Sequence, residues 1–170
     1  MASTYTPIAT TTLSGTSSGV TFSSISGSYT DIVLIGNFWA SSSNVVTPSL
    51  RFNSDTSSNY SSTSLYGFGT STYSVRHATT TLMYLGDFAA GITTNAPDPY
   101  ILQINNYSNS TTYKTVLCRY NQINASNGEV GATVGLWRST SAVTSITITS
   151  NGGQNYAIGS TFTLYGITAA

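Results

Sequence analysis

Charge is what this chain has least of. Only 6% of its 170 residues are Asp, Glu, Lys or Arg, against about 25% in an average soluble domain. Five basic and five acidic residues cancel to a formal net charge of zero. So small an inventory leaves no basic patch dense enough to bind nucleic acid by neutralising phosphates, and no nucleic-acid partner is expected. It also leaves little for acid–base chemistry, so the sequence speaks against an enzyme. Cysteine is nearly missing as well. Cys118 stands alone, which excludes an internal disulfide and a Cys-based zinc site. It reads as a small buried hydrophobe in an alternating segment.

Long apolar runs are also lacking. None approaches the ~20 residues of a membrane helix, so no membrane partner is expected. The stretch Met1 to Pro7 has no basic region and no apolar core, and no secretory leader is expected. Helix signals are scarce, because Ala, Leu, Glu and Lys never recur at helical spacing.

What the chain has instead is hydroxyl. Roughly a third of it is Ser or Thr, so its surface is kept wet by hydroxyls, Asn amides and Tyr rather than by charge. A hydrophobic content of 39% nevertheless excludes simple disorder. At this length one domain, residues 1–170, buries about 70% of its unfolded surface. Two-residue alternation rich in Val, Ile, Thr, Tyr and Phe recurs between Ser, Gly and Asn clusters. It predicts strands over Tyr5–Thr10, Val20–Ile25, Asp31–Trp39, Pro48–Asn53, Ser64–Phe68 and Tyr73–His77. Further strands are expected over Thr80–Leu85, Tyr100–Asn105, Lys114–Tyr120, Val130–Arg138, Ser141–Thr149 and Thr161–Tyr165. The run Ile32–Ile35 is apolar on both faces, which places it in the middle of the fold. Asn127-Gly128 reads as a two-residue hairpin turn. Asn151-Gly152-Gly153 and Ser108-Asn109-Ser110 mark further turns. Many short strands without a dividing linker predict an all-β sandwich or barrel.

Chemistry-bearing motifs are sparse. His77 is the single histidine, and its neighbour Arg76 is a poor companion for a general base. Asp31, Asp55, Asp87 and Asp98 sit in turn-like contexts, and Glu129 follows the Asn-Gly pair, where a solvated side chain is expected. No glycosidase pair is signalled. Asn53-Ser54-Asp55 lacks the ligand spacing of a calcium loop and reads as a turn. No catalytic residue, metal site or cofactor is expected. The four Asn-x-Ser/Thr sequons, at Asn59, Asn106, Asn109 and Asn124, follow from composition. Tyr is the richer signal, with twelve in the chain, since its ring stacks while its tip stays polar. Trp39 and Trp137 read as core. Tyr107, Tyr113 and Tyr156, in loop-like surroundings, are candidates for exposed ligand contacts.

Tyr5-Thr-Pro-Ile8, Val20–Ile25, Tyr29–Leu34, Leu50–Asn53, Asp55, Asn59–Ser61, Gly135–Trp137, Ile146–Ile148 and Phe162–Ile167 follow one another along nearly the whole chain. In that order they resemble a loose family of small structural proteins of tailed bacteriophages, especially those of aquatic bacteria and cyanobacteria. The middle, about Gly69 to Asn95, matches poorly. The family often has Pro where Ser26 stands and Gly where Ser54 and Ser57 stand, which leaves the local turn types open. The resemblance implies an antiparallel β-sandwich of jelly-roll type on the virion surface, and it brings no catalytic residues. The expected function is a capsid decoration or cement protein on the outer surface of the capsid, trimeric, with the major capsid protein as partner. The alternative is a receptor-binding module on a tail or head fibre that contacts a host glycan. Residues 1–13 are read either as a partner-contacting arm, through Tyr5, Pro7 and Ile8, or as the first strand of the protein's own sheet.

Overall fold

The structure, a computed structural model, describes residues 4–41, 46–86, 96–123 and 128–168. The described residues form strands and no helix. The strands are β1 (Tyr5–Thr12), β2 (Gly19–Phe22), β3 (Asp31–Phe38), β4 (Thr47–Phe52), β5 (Tyr60–Phe68) and β6 (Ser71–Thr80). After them come β7 (Met83–Tyr84), β8 (Asp98–Asn105), β9 (Lys114–Ile123), β10 (Gly128–Trp137), β11 (Ile146–Asn151) and β12 (Thr161–Ile167). They make two sheets, ordered β1-β12-β3-β8-β9-β10-β5-β6 and β2-β11-β4-β7. Every pairing is antiparallel. The protein is an all-β sandwich, and each stretch where the alternation predicts a strand contains one.

The core lies between the sheets and follows from the period of two. In β9 the burial alternates without a break, with Lys114, Val116, Cys118, Tyr120 and Gln122 inside. Ile146 and Ile148 of the small sheet meet the same cluster as Phe162, Leu164, Ile32 and Leu34 of the large one, and all six are fully buried. Each such side chain contributes about 1.5–3 kcal/mol. Aromatic rings fill both ends. Phe38 packs against Tyr100 and Tyr156, and Tyr156 meets Phe162 edge-on at 5.1 Å. Trp137 lies between Phe52 at 5.4 Å and Tyr60, on which it stacks at 6.3 Å.

Glycine opens space for some of these rings. Gly36 of β3 and Tyr100 of β8 are register partners, and a Cβ at Gly36 would stand 2.3 Å from the Tyr100 ring. Gly131 and Tyr120 repeat the arrangement across β10 and β9. The Tyr ring lies over the bare backbone of its partner, a cross-strand device that covers a glycine with an aromatic.

Three local expectations are corrected. Strand β11 begins at Ile146, not Ser141. The preceding residues are held by Asn53, whose φ is 51°. Its side chain accepts the N–H groups of Thr144 (2.8 Å) and Ser145 (3.1 Å) and donates to the Ala142 carbonyl (2.8 Å). A side chain thus takes the backbone partners that a ladder would have used. Asn127-Gly128 is not a two-residue turn, since Gly128 already pairs with Ile123 in the β9–β10 ladder; Asn127 itself lies outside the described residues. Glu129 is not solvated. Counting from Gly128, it falls on the inward face opposite Gln122 and is 3% exposed. The other turns stand as expected. Gly152 and Gly153 both have positive φ after β11, and the Asn109 side chain accepts the N–H groups of Thr111 and Thr112. The Asn53-Ser54-Asp55 segment is a turn, closed by the Asp55 N–H on the Phe52 carbonyl.

Candidate interaction surface

The two outer faces of the sandwich differ in chemistry. The outer face of the small sheet is hydroxylic, as the composition suggests. Thr21 and Thr147 share a hydrogen bond of 3.0 Å across β2 and β11, and Ser49 and Thr149 share one of 2.9 Å across β4 and β11. Such pairs hold strands together; Thr21 is exposed, while Ser49 is fully buried. The outer face of the large sheet is aliphatic at its centre. One transverse row runs Ile35, Ile101, Arg119, Ala132, Leu65 across β3, β8, β9, β10 and β5. The next runs Val33, Gln103, Leu117, Val134, Thr63, ending at Arg76 of β6. Val130 lies beside the first row.

Most of these side chains are open to solvent, although Val33 is only 4% exposed. Val130 is 67% exposed, Leu65 63%, Val134 58%, Leu117 40% and Ile35 36%. Together they present on the order of 400 Å² of aliphatic surface, the size at which the largest patch of a monomer is often functional. Two shallow depressions mark the same face. Pro99, Ile101, Arg119, Asn121 and Val130 border one, and Thr63, Arg76, Val134, Leu136 and Arg138 border the other. An antiparallel sheet with one solvated face ordinarily alternates apolar-in and polar-out; β9 and β10 instead carry Leu117, Val130 and Val134 outward.

Positive charge collects on this face. Arg76 and Arg119 project from it, and Arg138 follows β10 at its end, donating to the Ser61 hydroxyl at 3.0 Å. Among the described residues the carboxylates lie elsewhere or at the far end of the face. Asp31 is at the start of β3, accepting the Asn106 N–H at 2.7 Å. Asp55 accepts Trp137 Nε1 (2.7 Å), Asn59 Nδ2 (3.0 Å) and the Ser57 N–H (2.8 Å). Burial pushes the Asp55 carboxyl up, but those hydrogen bonds outweigh it and hold it at about 2. Asp98 and Glu129 point inward, and Asp87 lies outside the described residues. Burial first, and then the negative charge of Glu129, raise Asp98 to about 7. These two carboxylates are thus neighbours inside the sandwich.

The residues singled out from sequence fall as follows. Tyr107 and Tyr156 are fully buried, not exposed. The Tyr107 hydroxyl donates to the Ser26 carbonyl, and Tyr156 is a core ring whose backbone bridges Ser17 and Ala40. Loop-like surroundings misled here, because the rings plug the ends of the sandwich. Tyr113 is 55% exposed. Tyr5, Pro7 and Ile8 lie in β1, laddered to β12 as an edge strand of the protein's own sheet. Tyr5 meets Tyr165 edge-on, Pro7 is exposed, and Ile8 packs on the core. Pro7 and the register shift after it blunt that edge. Cys118 is buried and its thiol is pushed up by burial. His77 stacks on Tyr84 at 4.1 Å. Sequence reasoning missed the outer face itself, although Val130, Ala132 and Val134 recur at period two opposite the core set.

In comparisons with known proteins, no family model, curated protein or solved structure matches the chain.

Proposed function

We propose that the chain is a structural protein that works by docking the outer face of its large sheet, as a capsid decoration or cement protein of a tailed bacteriophage. The observation that carries the docking reading is the exposed aliphatic surface of Leu65, Val130 and Val134 on an otherwise hydroxylic molecule. The resemblance to phage structural proteins supports the virion setting, with the major capsid protein as partner. Strand order supports a jelly roll. Without β1, β12 and the β8–β9 hairpin, the remaining eight strands, numbered along the chain, fall in the orders 1-8-3-6 and 2-7-4-5. That is the double Greek key of jelly-roll sandwiches, a fold used in viral shells and in lectins alike. Low charge leaves little repulsion between copies, and trimers are expected.

The test is a double substitution, Leu65→Ser with Val134→Ser. Both side chains are exposed, so the fold is expected to survive with a stability change near 0.5 kcal/mol. Binding to shells stripped of the protein, measured by co-sedimentation, is expected to fall at least tenfold. Shells without the protein should lose heat resistance, since a ligand of the assembled lattice stabilises it by mass action. Undiminished shell binding by the double variant would count against the docking face.

The second reading is an adhesion module for host glycans. It is favoured by Tyr73, half exposed and stacked on Tyr66 at 5.1 Å beside Thr72 and Val130. Under that reading, particles lacking the protein keep their heat resistance and fail to adsorb to cells.

A further inference from the structure

The chemistry of the outer face narrows what can dock there, and this step rests on the docking reading above. Arg119 stands in the row between Ile101 and Ala132, so its guanidinium rises from aliphatic surroundings. Arg76 closes the next row two strands from Val134. Arg138 borders the same depression as Arg76. Of the chain's five basic residues, Lys114 is buried and Arg51 donates to the Thr81 carbonyl from the small sheet. The other three share this one face. Among the described residues its single carboxylate is Asp31, at the far end of β3 and engaged with Asn106. Neutral as a whole, the molecule therefore presents a positively charged, aliphatic docking face.

We propose that this face selects a protein surface that is aliphatic and carries carboxylates, read by Arg76, Arg119 and Arg138. A guanidinium pairs bidentately with a carboxylate, and complementary charge sets register while the aliphatic contact supplies area. A second copy docked face to face would set these arginines against each other, and among the described residues the chain's own carboxylates are buried or already hydrogen-bonded. A nucleic acid fits poorly. The outward side chains of β3, β8, β9, β10 and β5, among which Arg119 stands, include no aromatic ring, and the rings of Tyr165 and Tyr5 lie towards the far edge of the sheet, away from Arg76 and Arg138. Three separated arginines also neutralise few phosphates. A sugar ring would stack at the margins of the face, on Tyr73 beside Val130 or on Tyr5 with Tyr165, and not on its arginine-bearing centre.

The test uses two synthetic eleven-residue peptides, one alternating Val with Glu and the other alternating Val with Lys. Each is titrated into the full chain and followed by amide NMR shifts. A 20-nucleotide single-stranded DNA and phosphatidylserine vesicles serve as the other anionic probes. The Val/Glu peptide is expected to shift β9, β10 and β5 resonances and to bind at least tenfold tighter than Val/Lys. That preference should vanish in Arg76→Gln/Arg119→Gln/Arg138→Gln, while the Leu65→Ser/Val134→Ser variant loses both peptides. Equal binding of the two peptides would overturn the carboxylate selection and leave the docking reading standing. Binding of either peptide unchanged by Leu65→Ser/Val134→Ser would overturn the docking reading itself. Absence of binding by both peptides, or arginine-dependent binding of DNA or vesicles tighter than the Val/Glu peptide, would also overturn the proposal.

Discussion

Replacing Asp98 with Asn is expected to raise the melting temperature at pH 8 and to leave it nearly unchanged at pH 4. Asp98 is held at about 7 in the folded chain, against an ordinary carboxyl value of 3.8. Across that interval the folded state keeps a proton that the unfolded state gives up. Stability is therefore fully present below about pH 4, falls as pH rises towards 7, and levels off above it. A shift of three units corresponds to about 4 kcal/mol at most; with partial solvation the expected loss is about 2–3 kcal/mol. Asn resembles the protonated acid in shape and has no proton to lose, so the variant should show little of the decline. For a chain of this length the gain at pH 8 is about 5–10 °C. Melting curves at pH 4, 6 and 8 check this. Equal slopes for both proteins would mean that Asp98 ionises as if it were solvated.

Trp137→Ala is expected to be the most damaging single substitution considered, costing about 3–5 kcal/mol. It empties the space between Phe52 and Tyr60 and removes the Nε1 donor that Asp55 accepts at 2.7 Å. Trp137→Phe separates the two effects. It keeps a ring in the core but loses the donor and part of the indole's volume, for about 1–3 kcal/mol. The Asp55 carboxyl, held at about 2, should then rise towards its ordinary value. A depressed carboxylate contributes stability that is present above about pH 4 and lost as pH falls towards 2. Trp137→Phe should therefore soften the acid limb of the stability profile. Denaturant titrations from pH 2 to 7 read both effects, and an unchanged acid limb in Trp137→Phe would remove Trp137 from the control of Asp55.

The fold was largely legible in the sequence because its cause is local. Period-two alternation, read residue by residue, places Ile146, Ile148, Phe162 and Leu164 inward, where they are buried. What failed needed partners distant in sequence. Ser141 to Ser145 has strand-like composition, but Asn53, some ninety residues away, takes its backbone. Tyr107 and Tyr156 look like loop residues until the ends of the sandwich close over them. Glu129 reads as a turn residue until its register opposite Gln122 turns it inward. The pairing of Asp98 with Glu129 requires β8, β9 and β10 to lie side by side, which no spacing in the chain announces. The docking face was half legible. Ile32 to Ile35 is apolar on both sides and does run inside the sheet, yet Ile35 is left 36% exposed. That a second apolar side means a surface looking for a partner, and not a third layer of the protein, depends on what covers it. The gathering of Arg76, Arg119 and Arg138 on that side is again a matter of sheet order.

If the protein works by docking, the outer face of its large sheet is covered when it is at work. The most direct measurement is maleimide labelling of two cysteine variants, Val134→Cys on that face and Thr21→Cys on the outer face of the small sheet. The native Cys118 is buried and supplies little background. Each variant is labelled free in solution and again after addition to phage shells stripped of the protein. Val134→Cys is expected to react at least tenfold more slowly on the shells, while Thr21→Cys reacts alike in both. Equal labelling of Val134→Cys in the two settings would contradict the docking reading.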